Sequence, residues 1–173
     1  MRIILIRHPP PLIEPGICYG RLDIDCRDLE RVAADLRSRL PAGIAVYSSP
    51  LRRAVRLARE LSETVRIDAR LSEIDFGAWE GRRWDSIARE EIDAWAGDVS
   101  GFAPPGGESV AELRARALDF AAALKDDAAL VTHAGVMRVL AGHWRRLPMA
   151  DWSRLEFGFG EMARFDVEAQ PPA

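Results

Sequence analysis

Short apolar runs that alternate with segments of helical periodicity limit what this chain can fold into more than any other feature. The first run, 3–6, is continuous and apolar, which is typical of a strand buried on both faces of a sheet. The pattern predicts further strands at 44–47, 65–67, 129–132 and 162–167, and helices at 29–40, 85–95, 110–125 and 135–146. Strands alternating with helices predict an α/β fold, a three-layer α/β/α sandwich with a mainly parallel central sheet.

Two helix starts carry capping signals. Ser49-Pro50 places a serine where it can cap a helix and a proline at the first helical position, so another helix is predicted to begin there. Ser109 and Glu112 have the spacing of a capping box, in which each side chain accepts the other residue's backbone amide. The helix at 110–125 should therefore begin directly after Ser109.

The length of 173 residues fits one domain, 1–173. The stretch 69–108 is less regular, with several glycines and a Pro-Pro-Gly-Gly turn, and we interpret it as an insertion over the C-terminal ends of the strands. Ligands of open α/β sheets bind beyond those strand ends. The predicted fold therefore indicates where a functional site should lie.

The composition argues against nucleic-acid and membrane partners. The formal charge is −3, from 24 basic and 27 acidic residues, which gives no electrostatic reason to bind nucleic acid or an anionic membrane. No segment approaches the roughly 20 apolar residues of a membrane span, and the N-terminal run is too short for a signal peptide, so we expect a cytoplasmic protein. Cys18 and Cys26 match neither a disulfide framework nor a zinc site, and we expect no metal.

Polar residues follow three of the predicted strands. Arg7-His8 ends the first strand, Ser48-Ser49 the second, and His133 follows the strand at 129–132. Because the chain has only three histidines, two of them at strand ends predict a functional site. A neutral imidazole is a competent nucleophile at physiological pH and can also donate a proton.

The residues around these histidines suit a phosphoryl group. Arginine forks and helix N-termini bind its charged oxygens, so Arg7, one early-helix arginine and the amides after Ser49 and Ala134 would form an anion pocket. Arg52 and Arg53 are about 100° apart on a helix. We choose Arg53, because it shares a helix face with Ser49. A leaving oxygen also needs a proton donor, and Glu73, Glu80 and Asp75 are open candidates in an aromatic-rich loop.

Four motifs in order along the chain resemble the histidine phosphatase superfamily. They are Leu5-Ile6-Arg7-His8, 48–54, 71–81 and Val131-Thr132-His133-Ala134-Gly135. The resemblance implies a metal-independent phosphatase that needs no cofactor. It assigns His8 as the nucleophile, places Arg7, Arg53 and His133 around the phosphoryl group, and makes Glu73 the proton donor.

The short chain is most similar to the alpha-ribazole phosphatase branch of this superfamily. That resemblance implies hydrolysis of a small phosphometabolite, with alpha-ribazole phosphate as a candidate. It also implies substrate-binding roles for residues in the loop after the first motif, in a later turn and in the last motif, namely Tyr19, Gly20, Arg21, Glu108 and Ala134.

One departure from the family pattern stands beside the nucleophile. Pro9-Pro10-Pro11 replaces the usual Gly-Glu-Thr, and prolines have no amide hydrogen, so three backbone donors are lost. Either Arg21 and neighbouring groups replace those contacts, or phosphate is held less tightly. Two alternatives to a phosphatase also stay open. One is a phosphoglycerate mutase-type phosphotransferase, and the other is a phosphate-ligand binding module with weak or no catalysis.

Overall fold

The computed structural model describes residues 1–168, and a five-stranded sheet lies at its centre. The strands are β1 Arg2–Arg7, β2 Ala45–Ser48, β3 Val65–Ile67, β4 Ala128–Thr132 and β5 Met162–Asp166. Their order across the sheet is β3-β2-β4-β1-β5, and every neighbouring pair is parallel except β1 with β5. The prediction of a mainly parallel sheet is confirmed.

Helices cover both faces of the sheet. They are α1 Leu29–Arg37, α2 Arg52–Leu61, α3 Arg89–Gly97, α4 Val110–Ala123 and α5 Ala134–Trp144. Ile3 and Leu5 of β1 pack in a core with α4 and α5, whereas Ile4 and Ile6 pack on the opposite face with α1 and α2. Because successive strand residues point to opposite faces, a strand covered on both sides must be continuously apolar. The three layers are α1/α2, the sheet, and α4/α5.

The two capping predictions have different outcomes. The capping box is confirmed, since Ser109 Oγ accepts from the Glu112 amide at 3.2 Å and Glu112 accepts from the Ser109 amide at 2.8 Å. The prediction that Ser49 caps a helix is wrong, because α2 begins at Arg52. The Ser49 hydroxyl instead accepts from the Leu51 amide in a turn before the helix.

The stretch 69–108 folds around its own aromatic cluster. Trp79 is fully buried there beside Trp84, Trp95 and Phe102, with ring centroids 5.8–6.2 Å away. The helix expected at 85–95 is divided into a 3₁₀ turn at 84–86 and α3. Backbone hydrogen bonds join this stretch to residues 16–18, so it lies against the loop after β1. Within residues 1–168, none of the helices is both long and apolar enough to cross a membrane.

Candidate active site

The carboxyl ends of β2, β4 and β1 lie side by side, and they bring the two strand-end histidines together. His8 follows β1, His133 follows β4, and their ring centroids are 5.0 Å apart. From α2, Nε of Arg53 lies 3.3 Å from Nε2 of His8. Both imidazoles and the Arg53 side chain are buried. Three residues distant in sequence therefore form a buried cluster where an α/β sheet binds its ligands.

The backbone selects one tautomer of His8. Its Nδ1 lies 2.6 Å from the carbonyl oxygen of Pro9, which can only accept, so Nδ1 carries the proton. The lone pair is then on Nε2, where the Arg53 Nε–H donates to it. Burial, and then the positive charge of Arg53, lower the pKa of His8 to about 3. His8 is therefore neutral near pH 7, the state that a nucleophile requires.

Of the two neighbouring arginines at the start of α2, Arg53 enters the site. Its Nη1 donates to the carbonyl of Leu22 at 2.8 Å, and its Nη2 to the carbonyl of Gly20 at 2.6 Å. With the contact to His8, three of the five guanidinium N–H groups have acceptors among residues 1–168, which leaves two for a ligand. Arg52 points to solvent, with 58% of its side chain exposed.

Arg7 is held against the same site by two aromatic residues. Its Nη1 donates to the Phe157 carbonyl at 2.6 Å, and its Cζ lies 3.8 Å from the centroid of the Phe159 ring. Burial lowers the pKa of Arg7 from its ordinary value. Its Nε–H is buried and has no acceptor in the described part of the chain. Because an unpaired buried donor is costly, this group favours an anionic ligand.

His133 presents a second buried donor to the same space. Its Nε2 lies 2.8 Å from Ser49 Oγ, and that oxygen already accepts from the Leu51 amide. Because the Ser49 hydroxyl has no other acceptor within residues 1–168, its proton is donated to Nε2, which places the imidazole proton on Nδ1. Nδ1 is buried and has no partner among residues 1–168. Burial, followed by the charges of His8 and Arg53, lowers the pKa of His133 well below its ordinary value.

The three carboxylates of the 73–80 loop have different surroundings. Glu73 lies at the N-terminus of α5, where its Oε2 accepts from the Gly135 amide at 3.1 Å. Asp75 forms a partly exposed ion pair with Arg21. Glu80 is committed to the backbone, since it accepts at 2.8–3.1 Å from the amides of Gly20, Arg21, Leu22 and Phe76.

Of the residues expected to bind substrate, Tyr19 and Gly20 lie in the inner part of the site. Tyr19 is half-buried, and Arg53 Cζ lies 5.5 Å from the centroid of its ring. The Gly20 backbone is fully used, because its amide donates to Glu80 and its carbonyl accepts from Arg53. Ala134 is the first residue of α5, so its amide is one of the N–H groups without an intrahelical acceptor.

Arg21 and Glu108, also expected to bind substrate, bind each other. Arg21 Nη2 donates to Glu108 at 2.6 Å, and the carboxylate also receives two donors from Arg116. The Arg21 side chain is 40% exposed and the Glu108 side chain only 12%. The pair therefore lies at the outer side of the loop that carries Glu73.

The triproline segment provides acceptors where it lacks donors. The Pro9 carbonyl binds His8 Nδ1, and the Pro10 carbonyl accepts from the Arg27 amide at 2.9 Å. Pro11 forms an isolated antiparallel bridge with Cys26. The segment is thus fixed by its carbonyls beside the nucleophile.

Sequence reasoning missed three residues of this region, Phe157, Phe159 and Arg116. The glycines on both sides of Phe159 indicate a turn, which is the only local signal. Arg116 looks like one more charge on a helix, because its partners are distant in sequence.

The fold and the site define an α/β protein in which two buried imidazoles and two arginines share a pocket at the carboxyl edge of a mainly parallel sheet, and the unpaired donors there favour an anionic ligand. The family model described as the histidine phosphatase superfamily (branch 1) matches residues 3–172. The chain therefore belongs to this superfamily, as its motifs indicate.

Named relatives and solved structures agree with this membership. Glucosyl-3-phosphoglycerate phosphatase of Mycobacterium tuberculosis is 33% identical, with 89% of this chain and 79% of that protein covered. Putative phosphoserine phosphatase 2 of Hydrogenobacter thermophilus is 31% identical, with 80% and 76% covered. The crystal structure of a phosphoglycerate mutase from Thermus thermophilus matches with a TM-score of 0.79 at 31% identity, and the match covers 96% of this chain and 93% of that one.

Proposed function

We propose that this protein hydrolyses phosphomonoesters through a phosphohistidine intermediate on His8. The observation that carries the proposal is the fixed tautomer of His8, whose Nδ1 is bound to the Pro9 carbonyl while the Nε2 lone pair points at Arg53. A nucleophile for phosphoryl transfer needs this lone pair next to groups that bind the phosphoryl oxygens. The unpaired donors of Arg7 and His133 supply such groups.

The reaction has two steps. In the first, the Arg53 Nε–H moves its hydrogen bond from the His8 Nε2 lone pair to a phosphoryl oxygen, and Nε2 attacks phosphorus in line. The bond from phosphorus to the leaving oxygen breaks, and protonated Glu73 gives that oxygen a proton. Arg7, Arg53 and His133 stabilise the charge on the equatorial oxygens. In the second step Glu73, now ionised, takes a proton from water as the water oxygen attacks phosphorus, and the bond from phosphorus to His8 Nε2 breaks. Inorganic phosphate leaves, and both His8 and Glu73 return to their starting states.

The proposed substrate is a small phosphorylated metabolite. The relatives whose names state a substrate are phosphatases for glucosyl-3-phosphoglycerate and phosphoserine, which supports this class. Alpha-ribazole phosphate and a cytoplasmic location stay predictions. A hydrolysis screen of phosphometabolites that includes these three compounds would identify the preferred leaving group.

The test of the mechanism is to trap the intermediate. Brief incubation with a ³²P-labelled substrate should label the protein with phosphate that is lost in acid and retained in alkali, as expected for phosphohistidine. His8→Ala should abolish both labelling and turnover of an aryl phosphate while circular dichroism stays as in the wild type. Undiminished turnover in His8→Ala would contradict the mechanism. Phosphate or vanadate binding without any turnover in the wild type would instead indicate a binding module.

A mutase is the second candidate, favoured by the solved structure named phosphoglycerate mutase. Product analysis separates the two activities, because a mutase releases an isomer of its substrate and little inorganic phosphate.

We further propose that catalysis needs no metal. Arginines and imidazoles supply the donors, and no group of three or more His, Cys, Asp or Glu side chains within residues 1–168 is placed to hold an ion. Activity should survive a strong chelator; loss that a divalent ion restores would contradict this.

A further inference from the structure

The segment that carries Glu73 is held by side chains from other elements. Four consecutive carbonyls, those of residues 70–73, each accept a hydrogen bond from a side chain distant in sequence. Thr132 Oγ1 binds the carbonyl of Leu71 at 2.7 Å, and Arg116 binds the other three. A buried loop must find partners for its backbone outside regular structure, and here one arginine provides most of them.

Every N–H group of Arg116 has an acceptor. Nη1 donates to the carbonyls of Arg70 and Ser72 at 2.8 and 2.7 Å, and Nη2 donates to the carbonyl of Glu73 at 3.0 Å. The remaining donors, on Nε and Nη2, bind Glu108 at 2.9 and 2.6 Å. The guanidinium is thus a rigid fork with all five donors used, and its side chain is only 17% exposed.

Glu108 connects this fork to a second arginine. Its carboxylate lies between Arg116 and Arg21, and Arg21 Nε in turn lies 3.4 Å from the Glu73 carbonyl. The carboxylate balances the charge of both guanidinium groups and keeps the Arg116 fork aimed at the loop. None of these contacts reaches the Glu73 carboxylate, which instead binds the Gly135 amide. The network therefore acts on the backbone of Glu73.

We propose that Arg116, supported by Glu108, is a positioning residue that sets where Glu73 meets the leaving oxygen. This inference rests on the proposed role of Glu73 as proton donor. A general acid must lie within hydrogen-bond reach of the leaving oxygen, and a displacement of about 1 Å can cost about 10²-fold in rate. Removing the fork leaves the carbonyls of Arg70 and Ser72 without a side-chain donor and the Glu73 carbonyl with only the 3.4 Å contact to Arg21, so the loop moves and the acid with it.

The readout is the dependence of rate on the leaving group. The substrates are substituted phenyl phosphates of similar size. At one end of the series is 4-nitrophenyl phosphate, whose leaving group departs without a proton, and at the other is phenyl phosphate, whose leaving group needs one. The value of kcat/KM reports formation of the phosphoenzyme, the step in which the acid acts. Arg116→Met should lower kcat/KM by about tenfold or more for phenyl phosphate and by less than about threefold for 4-nitrophenyl phosphate.

Two further variants make this result specific. Glu73→Gln should steepen the dependence on the leaving group at least as much as Arg116→Met. Arg114→Met is the matched control, because Arg114 lies on the same helix but its guanidinium contacts the Trp152 ring, and it should keep the wild-type dependence. Concentrations of active enzyme come from phosphoenzyme labelling, so partial unfolding does not enter the rates.

The outcomes are distinguishable. In one outcome, Glu73→Gln steepens the dependence of kcat/KM on the leaving group while Arg116→Met lowers kcat/KM by the same factor for every substrate. Arg116 then does not position the acid, and the proposed mechanism stands. If Glu73→Gln itself lowers kcat/KM by the same factor for every substrate, the role given to Glu73 is wrong. Should Arg116→Met not fold, Arg116→Lys and Glu108→Gln replace it. Each keeps part of the network, and each should steepen the dependence to a smaller extent; an equal loss for all substrates in both would overturn the proposal.

Discussion

The buried histidines should make the protein lose stability on mild acidification. The folded-state pKa of His8 is about 3, whereas an imidazole in the unfolded chain has a pKa of about 6.5. Between these values the unfolded state binds a proton that the folded state does not, so the free energy of unfolding falls as pH falls. The contribution of His8 is fully present above the unfolded pKa and is lost progressively below it. From pH 7 to pH 5 the loss from His8 is about 2 kcal/mol.

Urea unfolding followed by tryptophan fluorescence at pH 7, 6 and 5 measures this loss. Other titrating groups contribute too, so the informative quantity is the comparison with His8→Gln, which removes only one imidazole. The free energy of unfolding of the wild type should fall by about 2 kcal/mol more than that of His8→Gln over this range. His133 shifts in the same direction, so His8→Gln/His133→Gln should have a still flatter profile. Equal pH dependence of the wild type and His8→Gln would refute the reasoning.

Two more substitutions have expected outcomes that follow from single contacts. In Gly135→Ala the new Cβ would clash with Glu73 Oε1, so the carboxylate must move, while alanine favours the helix by about 1 kcal/mol. Phenyl phosphate hydrolysis should fall about 10²-fold with an unchanged or raised Tm; wild-type activity would show that Glu73 acts from another position. Ser109→Ala removes a capping box and should cost about 1–2 kcal/mol in urea unfolding, whereas the exposed Ser153→Ala should cost less than about 0.5 kcal/mol; equal costs would contradict the cap.

The parts of the fold that could be predicted are those with a local signal. Strands buried on both faces are continuously apolar, as at Ile3–Ile6, and the box of Ser109 with Glu112 lies within four residues. The site follows from the same reasoning, because parallel strands that end in His8 and His133 must bring both residues to one edge. Periodicity and the rule for strand ends are therefore enough to locate the pocket.

What could not be predicted depends on partners distant in the chain. Ser49 has the local pattern of a cap, yet its hydroxyl binds Leu51 and His133, and only the folded sheet brings His133 near. The sequence does not distinguish the carboxylates of Glu73 and Glu80. In the structure Glu73 accepts from an amide at the N-terminus of α5, whereas Glu80 accepts from four backbone amides of the loops. Spacing records none of these contacts.

The triproline segment shows why a departure from a family pattern has to be judged by the contacts each position makes. Its sequence suggests a weaker phosphate site, because three backbone donors are lost. The orientation of His8, however, requires an acceptor at the next residue, and the Pro9 carbonyl provides it at 2.6 Å. Proline keeps that carbonyl and also fixes its own φ, so the lone pair on Nε2 stays directed at Arg53. Under the proposed function the donors for phosphate are then chiefly side chains, those of Arg7, Arg53 and His133, and binding should depend more on these three residues than the family pattern implies.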